Sequence, residues 1–235
     1  MRRPLGTLLG DKRKLVGFMA PAGKGSNSVQ LRHFNERVVL DALRRMRQAS
    51  KAEIARACNL TPPAVAAIVE ALVEAGYARE NGKRFGGKGQ PSAMYELAED
   101  GAYSIGLHIG RRSVDGVLLG FAGQTVDFES HEYEYPNPVR VRELGNGIIA
   151  RHRRKLGAAQ QSRLVGIGIS APYFIGGWDH ELGFPEGVTE AWRAADLQGS
   201  FFETNGLPVQ VENDASAAAV AELVRRYLAS HGPAT

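Results

Sequence analysis

A chain of 235 residues accommodates one large domain or two modest ones, and its 43% hydrophobic and 23% charged residues are ordinary for a soluble globular protein. No apolar run approaches the roughly 18 residues that cross a bilayer, and no segment has the pattern of a secretory signal. The single cysteine, Cys58, excludes an internal disulfide and a multi-thiolate metal site, so we expect a reduced, cytoplasmic setting and no membrane partner.

The charges are distributed unevenly along the chain. Residues 1–100 carry 17 Lys or Arg against 10 Asp or Glu, whereas residues 101–235 carry 12 against 15. A basic half joined to a mildly acidic half indicates that only the first half meets a polyanion, although a chance scatter of solvated surface charge has the same appearance.

The first segment predicts a tail followed by a helix. Residues 1–30 mix Gly, Pro, Ser, Asn and basic residues without periodicity, which is typical of a flexible basic tail. From Phe34 onward, apolar residues recur at helical spacing and predict a helix over residues 34–47.

Two short helices follow, each with its own cap. Ser50-Lys51-Ala52-Glu53 is a capping box, in which the Ser side chain accepts from a first-turn amide and the Glu side chain reaches back, and Asn59 ends the helix. Thr61 is expected to cap a third helix with Pro62 at its first position, and Gly76 to end it. Separately capped helices joined by about three residues indicate a helix-turn-helix, although any three-helix bundle shares the apolar stripes.

The segment after the third helix predicts a β-hairpin with a cationic tip. Residues 77–80 and 93–97 have strand character, and residues 82–91 between them hold three cations and four glycines. Such a tip is poorly suited to packing in a core and well suited to approaching a phosphate backbone. Together with the helices, it predicts a winged helix-turn-helix domain of the MarR-like kind over residues 31–98.

The third helix offers little for direct reading of bases. Readout of base edges usually uses Arg, Lys, Asn or Gln, whereas this helix begins with Thr, Pro and Ala. We therefore expect phosphate contacts and groove shape to contribute much of the binding to double-stranded DNA. The residues expected to contact DNA are Thr61, Pro62, Ala64, Ala67, Arg79, Lys83, Arg84, Lys88 and Gln90.

The second half of the chain alternates strands and helices, which indicates an α/β lobe. Residues 151–155 are basic and lie near the end of a predicted helix, where cations favour the helix dipole, and we expect them to form a solvated face. Strands are expected over residues 105–109, 114–119, 125–135, 165–170 and 209–212, and helices over residues 139–156 and 215–227.

Five motifs occur in a fixed order along residues 34–228. They are Gly89-Gln90-Pro91-Ser92, Ile105-Gly106-Leu107-His108-Ile109-Gly110, Gly123, Gly166-Ile167-Gly168-Ile169-Ser170-Ala171-Pro172 and Val211-Glu212-Asn213-Asp214-Ala215. Their order and spacing, following a winged helix, resemble the ROK family of sugar-responsive repressors and sugar kinases. The resemblance implies a truncated actin-like (ribonuclease H-like) lobe over residues 99–235, a sugar or sugar-phosphate effector and a homo-oligomer.

Asn213 and Asp214 are the candidate sugar-binding residues. They follow a strand and precede a helix, where ligands of open α/β sheets commonly bind. In kinase relatives the matching Asp takes a proton from a sugar hydroxyl, and in repressor relatives the pair holds sugar hydroxyls. From the residues alone, Asn-Asp before an Ala-rich segment favours a helix N-cap, whereas the resemblance favours sugar contact.

Departures from the family pattern argue against an enzyme. The phosphate loop of kinase relatives has an acidic residue where this chain has His108, and small polar residues where it has Arg111 and Arg112. The carboxylate that would hold Mg²⁺ near ATP is therefore replaced. The second lobe of the family, with its Cys-rich zinc motif, is also expected to be absent. We expect no catalytic residue, no cofactor and no bound metal.

The leading hypothesis is a sequence-specific DNA-binding transcription regulator, a repressor of carbohydrate-utilisation genes whose sugar-sensing domain is truncated. The alternative from the enzyme class is a ROK-type carbohydrate kinase that phosphorylates a hexose with ATP, using Asp214 as the base. A third alternative is an interaction module whose winged helix contacts protein. Binding that weakens steeply with salt separates a DNA partner from a protein partner.

Overall fold

The computed structural model describes residues 28–85, 91–172 and 183–230. The chain divides into two compact units, of which one is Ala102–Glu222 and the other comprises the residues on either side of that range. Residues 1–27 of the expected tail, and the hairpin residues Lys88 and Gln90, lie outside the described residues, so what was expected of them stays a prediction.

Three helices form most of the first unit: α1 (Ser28–Met46), α2 (Lys51–Cys58) and α3 (Pro62–Glu74). Helix α1 begins well before residue 34, so residues 28–30 of the expected tail are helical. A local pair supports these early turns, because Arg32 donates to Glu36 Oε1 at 3.0 Å one turn ahead, and Glu36 is buried. Apolar spacing does not detect such a pair.

A three-stranded antiparallel sheet completes the first unit, with the order β1-β3-β2. Its strands are β1 (Ala49–Ser50), β2 (Ala78–Arg84) and β3 (Ser92–Leu97). The hairpin strands are present as expected, whereas β1 was not predicted. Two residues have no periodicity, and β1 exists only through its pairing with Tyr95 and Met94, far along the chain.

The core of the first unit is closed by the apolar stripe of α3. Val65, Ile68, Val69 and Leu72 of this stripe are buried, whereas Val73 is 38% exposed. Gly76, with φ 76°, follows the helix end in the left-handed region that glycine tolerates. The principal core residues are Val39, Leu43, Ile54, Val65, Ile68, Val69, Leu72, Met94 and Leu97.

The second unit is built on a five-stranded mixed sheet in the order β6-β5-β4-β7-β8. The strands are β4 (Tyr103–Ile109), β5 (Ser113–Gly120), β6 (Thr125–Glu132), β7 (Leu164–Ala171) and β8 (Val209–Asn213). Strand β4 pairs antiparallel with β5 and parallel with β7, and β8 pairs parallel with β7. Three antiparallel strands followed by two parallel ones are the order expected of the ribonuclease H-like lobe.

Helices α4 (Pro138–Lys155) and α7 (Leu197–Asn205) pack on one face of this sheet, and α6 (Val188–Arg193) packs against α4. Helix α5 (Ala158–Gln161) lies between α4 and β7 in the chain, and α8 (Asp214–Ser230) follows β8. Alternate residues of β4, such as Leu107, share a core with Ile148 of α4 and Phe201 of α7. The alternation leaves the other face more open, where Phe128 is 61% exposed.

Among the described helices, none is both long and apolar enough to span a membrane by itself. Helices α2 and α3 meet that criterion only when taken as a pair, and they are bent by 115° at the break between them.

Candidate nucleic-acid interface

Local caps fix the first half of the helix-turn-helix. Ser50 Oγ accepts a hydrogen bond from the backbone N–H of Glu53 at 3.3 Å, and Glu53 Oε2 accepts one from the backbone N–H of Ser50 at 2.8 Å. Asn59 then turns into the left-handed region, with φ 52°, and ends α2. The predicted capping box and the predicted end of α2 are both confirmed.

Helix α3 begins where predicted, but Thr61 does not cap it with its side chain. Thr61 has the extended backbone of an N-cap residue, with φ −68° and ψ 145°, and makes no side-chain cap hydrogen bond. An N-cap oxygen accepts from the second or third helical N–H; here Pro63 has no N–H to offer, and Thr61 makes no bond to the third, that of Ala64. Thr61, Pro62 and Ala67 are exposed, whereas Ala64 is half-buried.

The hairpin strands reach further towards the tip than the sequence predicts. Lys83 and Arg84 lie within β2, opposite Ala93 and Ser92, and not in the turn. The register shifts between Glu80 and Lys83, which marks a β-bulge of the kind that increases strand twist and redirects side chains. Both cations are exposed. The assignment of Lys83 and Arg84 to the hairpin tip is therefore corrected to the end of β2.

Three cations of the first unit lie beside carboxylates from other elements. The pairs are Arg79 with Glu96 (2.7 Å), Arg84 with Glu53 (2.8 Å) and Lys51 with Glu70 (2.8 Å). We call Lys51, Arg79 and Arg84 the paired cations. The two arginine side chains are 52% and 53% exposed, so solvent and a polyanion still reach them.

The pKa values of two of these carboxylates, Glu96 and Glu53, lie below their usual value. Burial raises the pKa of Glu96, but hydrogen bonds from Asn81 and Arg79 outweigh burial and hold the pKa below its usual value. The hydrogen bond from the backbone of Ser50 is the main cause of the lowered pKa of Glu53. Both carboxylates are therefore ionised at neutral pH.

Two long-range contacts fix the hairpin against the helix-turn-helix. Gln48 Nε2 donates to the backbone carbonyl of Asn81 at 2.6 Å. Arg84 donates to Glu53 Oε1, while the other oxygen of Glu53 serves the cap of α2. Glu53 therefore both opens α2 and holds the end of β2 close to it.

The basic run near the end of α4 is only in part the solvated face that the sequence predicts, because Arg154 and Lys155 are exposed whereas His152 is not. His152 is wholly buried, and its Nδ1 lies 3.0 Å from Asp127 Oδ2. Arg151 donates to Glu129 Oε2 at 2.7 Å, and Lys155 Nζ lies 2.7 Å from Asp127 Oδ1. Two acidic residues at alternate positions of β6, Asp127 and Glu129, thus pair with side chains of α4. No local pattern in α4 reveals these pairs.

Asn213 and Asp214 occupy the junction of β8 and α8, as the sequence predicts. Asn213 Oδ1 accepts from the backbone N–H groups of Ala215 at 3.1 Å and Ser216 at 3.2 Å, and Asp214 Oδ1 accepts from Ala215 at 2.8 Å. These are the bonds of a helix cap. Contact of the pair with a sugar stays a prediction.

A cleft of about 430 Å³ opens on the less covered side of the β4–β8 sheet. His108 and Ser170 lie in it, joined by a hydrogen bond of 3.1 Å between Nδ1 and Oγ, and Glu212 lines its edge. Neither Asn213 nor Asp214 is among the described residues that line this cleft. His108 therefore has a hydrogen-bonding partner within the sheet. A structural role of this kind is usual for a lone histidine on a strand.

Tyr133 bridges the two ends of the turn between β4 and β5. The resemblance matches this turn to the phosphate loop of kinases. The hydroxyl of Tyr133 lies 2.7 Å from the carbonyl oxygens of both Gly110 and Ser113, and burial raises its pKa well above the usual value. Within the described ranges, no three His, Cys, Asp or Glu side chains are grouped to hold a metal ion.

Comparison with known proteins identifies the family. The ROK family model matches residues 104–230, which is more than half of the chain. The chain belongs to the ROK family. A second model, the IclR helix-turn-helix domain, matches residues 38–82, from α1 into β2.

Similar ROK proteins include regulators and kinases. The xylose repressor of Bacillus subtilis strain 168 is 25% identical over 190 residues, covering 81% of this chain and 48% of that protein. The glucokinase of Halalkalibacterium halodurans is 30% identical over 127 residues, covering 51% of this chain and 36% of that protein. The crystal structure of a ROK family transcriptional regulator, a homolog of the E. coli MLC protein, has a TM-score of 0.53 at 19% identity.

The matched relatives are about twice as long as the part of them that this chain covers. The match to this crystal structure covers 80% of the present chain and 48% of the chain in the crystal. It supports the fold described above. The chain spans about half the length of the curated relatives that it matches.

Sequence reasoning did not find the carboxylates beside the paired cations. For Arg79 a signal existed, because the hairpin register places Glu96 directly opposite it, and opposite charges in that position attract. For Lys51 and Glu70, which lie on different helices, no local signal exists. His152 was likewise missed, since its burial depends on β6.

Proposed function

We propose that this ROK chain is a sequence-specific DNA-binding transcription repressor of carbohydrate-utilisation genes, with residues 31–98 as its DNA-binding domain. The observation that carries the proposal is the pairing, within one unit, of an exposed α3 start with a hairpin that exposes Lys83 and Arg84. In helix-turn-helix proteins the second helix enters the major groove. The matched helix-turn-helix model and the xylose repressor relatives support this function.

Phosphate contacts supply most of the affinity in this proposal. The start of α3 offers Thr61, Pro62, Ala64 and Ala67, whose small side chains suit contact with thymine methyl groups better than bidentate reading of base edges. Cations of the hairpin hold the phosphates, and groove shape contributes to sequence preference.

The α/β lobe, residues 99–235, is proposed to carry the effector response. A sugar or sugar phosphate binds near Asn213 and Asp214, and two copies of the chain occupy two half-sites whose spacing the effector alters. Xylose is the first sugar to test, because relatives are named xylose repressors.

We also infer that the chain does not transfer phosphoryl groups. Asp214 is engaged at the start of α8, and His108 stands where kinase relatives have a carboxylate for Mg²⁺. ATP turnover should stay at background with a panel of hexoses. Sugar-dependent turnover that disappears in Asp214→Asn would establish the kinase alternative instead.

The DNA-binding proposal is tested by titrating the full chain against a fluorescent mixed-sequence duplex over a range of salt concentrations. Lys83→Ala is expected to weaken binding to all sequences and to reduce the slope of log K against log salt by about 1. Arg154→Ala removes the same charge from an exposed position of α4 in the other unit and should leave the slope unchanged. If the chain shows no salt-dependent binding to the duplex, the proposal is overturned.

A further inference from the structure

The paired cations have partners of the same chemical class as the ligand proposed for them. A carboxylate and a phosphate are both anionic oxygen acceptors for guanidinium and ammonium groups. From the geometry, we propose that Glu96 and Glu70 compete with DNA phosphate for Arg79 and Lys51, and so hold the affinity of the interface below what its cations allow. The inference rests on the proposed DNA-binding function and identifies the residues that set its strength.

The Arg79–Glu96 pair lies on the hairpin itself. Glu96 accepts from Arg79 Nε at 2.7 Å with one oxygen and from Asn81 Nδ2 at 2.6 Å with the other. Its side chain is 18% exposed, whereas that of Arg79 is 52% exposed. Glu96 is therefore fixed in place, and Arg79 is the partner that is free to turn towards an incoming phosphate.

The Lys51–Glu70 pair lies between the two helices of the helix-turn-helix. Lys51 Nζ is 2.8 Å from Glu70 Oε1 and 5.4 Å from the centre of the Tyr95 ring. The hydrogen bond to Glu70 raises the pKa of Lys51, which stays charged. Because the first helix of such a motif crosses the DNA backbone, Lys51 at the start of α2 is suited to phosphate contact.

Glu70 is an unusual residue for a helix that enters a DNA groove. Helix α3 contains no Lys or Arg, and its two carboxylates, Glu70 and Glu74, are both exposed. Glu70 itself is 70% exposed, so its charge repels nearby phosphates unless Lys51 neutralises it. When Lys51 turns to a phosphate, Glu70 is no longer neutralised. The attraction between Lys51 and the phosphate is then opposed by the repulsion between Glu70 and the phosphates nearby.

The experiment measures DNA affinity of the full chain for the mixed-sequence duplex at low and physiological salt. Glu96→Gln and Glu70→Gln are each expected to tighten binding about fivefold, equivalent to roughly 1 kcal/mol, and to steepen the salt slope. The matched control is Glu80→Gln, which removes one charge from an exposed position of β2 next to Arg79, on the opposite side of the strand. It should change affinity much less and leave the slope unchanged.

A double variant ties the effect to the named pair. In Lys51→Ala the gain from Glu70→Gln should fall to the size seen with Glu80→Gln, because no cation is left to release and only the repulsion of an exposed carboxylate is removed. Equal gains in all three Gln variants would reduce the effect to net charge, and weaker binding in Glu96→Gln would show that the carboxylate positions Arg79 for DNA. Either result overturns the inference.

Failure of the inference and failure of the proposed function have different signatures. If the unmodified chain does not bind the duplex in a salt-dependent way, the DNA-binding proposal fails. If it binds, and the Gln variants bind equally, only the competition between carboxylates and phosphate is wrong.

Discussion

The two basic clusters of this chain have similar partly exposed ion pairs, and they differ in one residue of the α4 cluster, His152, which is wholly buried. In the hairpin, Arg79 and Arg84 are about half exposed and lie beside carboxylates of the same unit. In α4, Arg151 and Lys155 flank His152, which has no exposed surface and lies against Asp127. A run of basic residues therefore does not by itself distinguish a phosphate-binding surface from a structural network.

Burial determines which of the two roles such a cluster takes. An exposed ion pair contributes about 0–1 kcal/mol to stability, so a phosphate can displace its carboxylate at little cost. Removing one partner of a buried pair costs about 3–5 kcal/mol, because it leaves a charge or a hydrogen-bonding group without a partner. The hairpin cations are thus suited to exchange partners, and His152 is suited to hold β6 and α4 together.

The largest expected effect follows from removing His152. His152→Ala should lower the free energy of unfolding by about 2–4 kcal/mol, since it opens a cavity and leaves Asp127 without its buried donor. Chemical denaturation followed by the signal of the α/β unit measures this loss. Arg154→Ala, on an exposed position of the same helix, should stay within about 0.5 kcal/mol of the unmodified chain. Equal behaviour of the two variants would contradict the comparison.

The same network predicts a loss of stability in acid. The hydrogen bond from Lys155 holds the pKa of Asp127 below its ordinary value. Burial raises the pKa of Glu129, but hydrogen bonds from His131 and Arg151 outweigh burial and lower that pKa. A folded pKa below the unfolded one stabilises the protein fully above the ordinary carboxyl value of about 4, and this contribution is lost as the pH falls through the folded pKa.

Denaturation midpoints measured from neutral to acid pH test this dependence. The decrease of the midpoint from neutral to acid pH is the acid limb of the stability curve. Asp127→Asn should make this acid limb less steep, because the substituted side chain no longer titrates. Glu134→Gln, at an exposed position beyond β6, should leave the limb as it is. An acid limb that is the same in all three proteins would show that the α4–β6 pairs do not contribute to it.

Features that depend on neighbouring residues were predictable from the sequence. The capping box at Ser50 and Glu53, the left-handed Asn59 and the proline start of α3 are all encoded within a few residues of where they act. The order of strands in the α/β lobe followed from alternating apolar segments together with the ROK resemblance. The helix cap formed by Asn213 was one of the two interpretations that the residues allowed.

Features that depend on distant residues were not predictable. Strand β1 requires β3, the burial of His152 requires β6, and the partner of Lys51 lies on another helix. The side-chain cap expected of Thr61 was wrong as well: Pro63 lacks one of the two N–H groups that its hydroxyl could bind, and the hydroxyl does not bind the other, on Ala64. The carboxylates beside the expected DNA-contacting cations are the hardest of these features to predict, because their positions depend on how the elements pack.

The smallest expected effect is also the one that separates the two clusters most clearly. Glu70→Gln breaks an exposed pair whose carboxylate is 70% exposed, so the free energy of unfolding should change by less than about 0.5 kcal/mol. Chemical denaturation followed by the signal of the first unit measures it, with Glu80→Gln as the control. If Glu70→Gln instead destabilises the unit by about 2 kcal/mol or more, Lys51 has a structural role, as His152 does, and it is not available for exchange with phosphate. A stability that hardly changes, together with a gain in DNA binding that Glu80→Gln does not share, is the combination expected of an exchangeable pair.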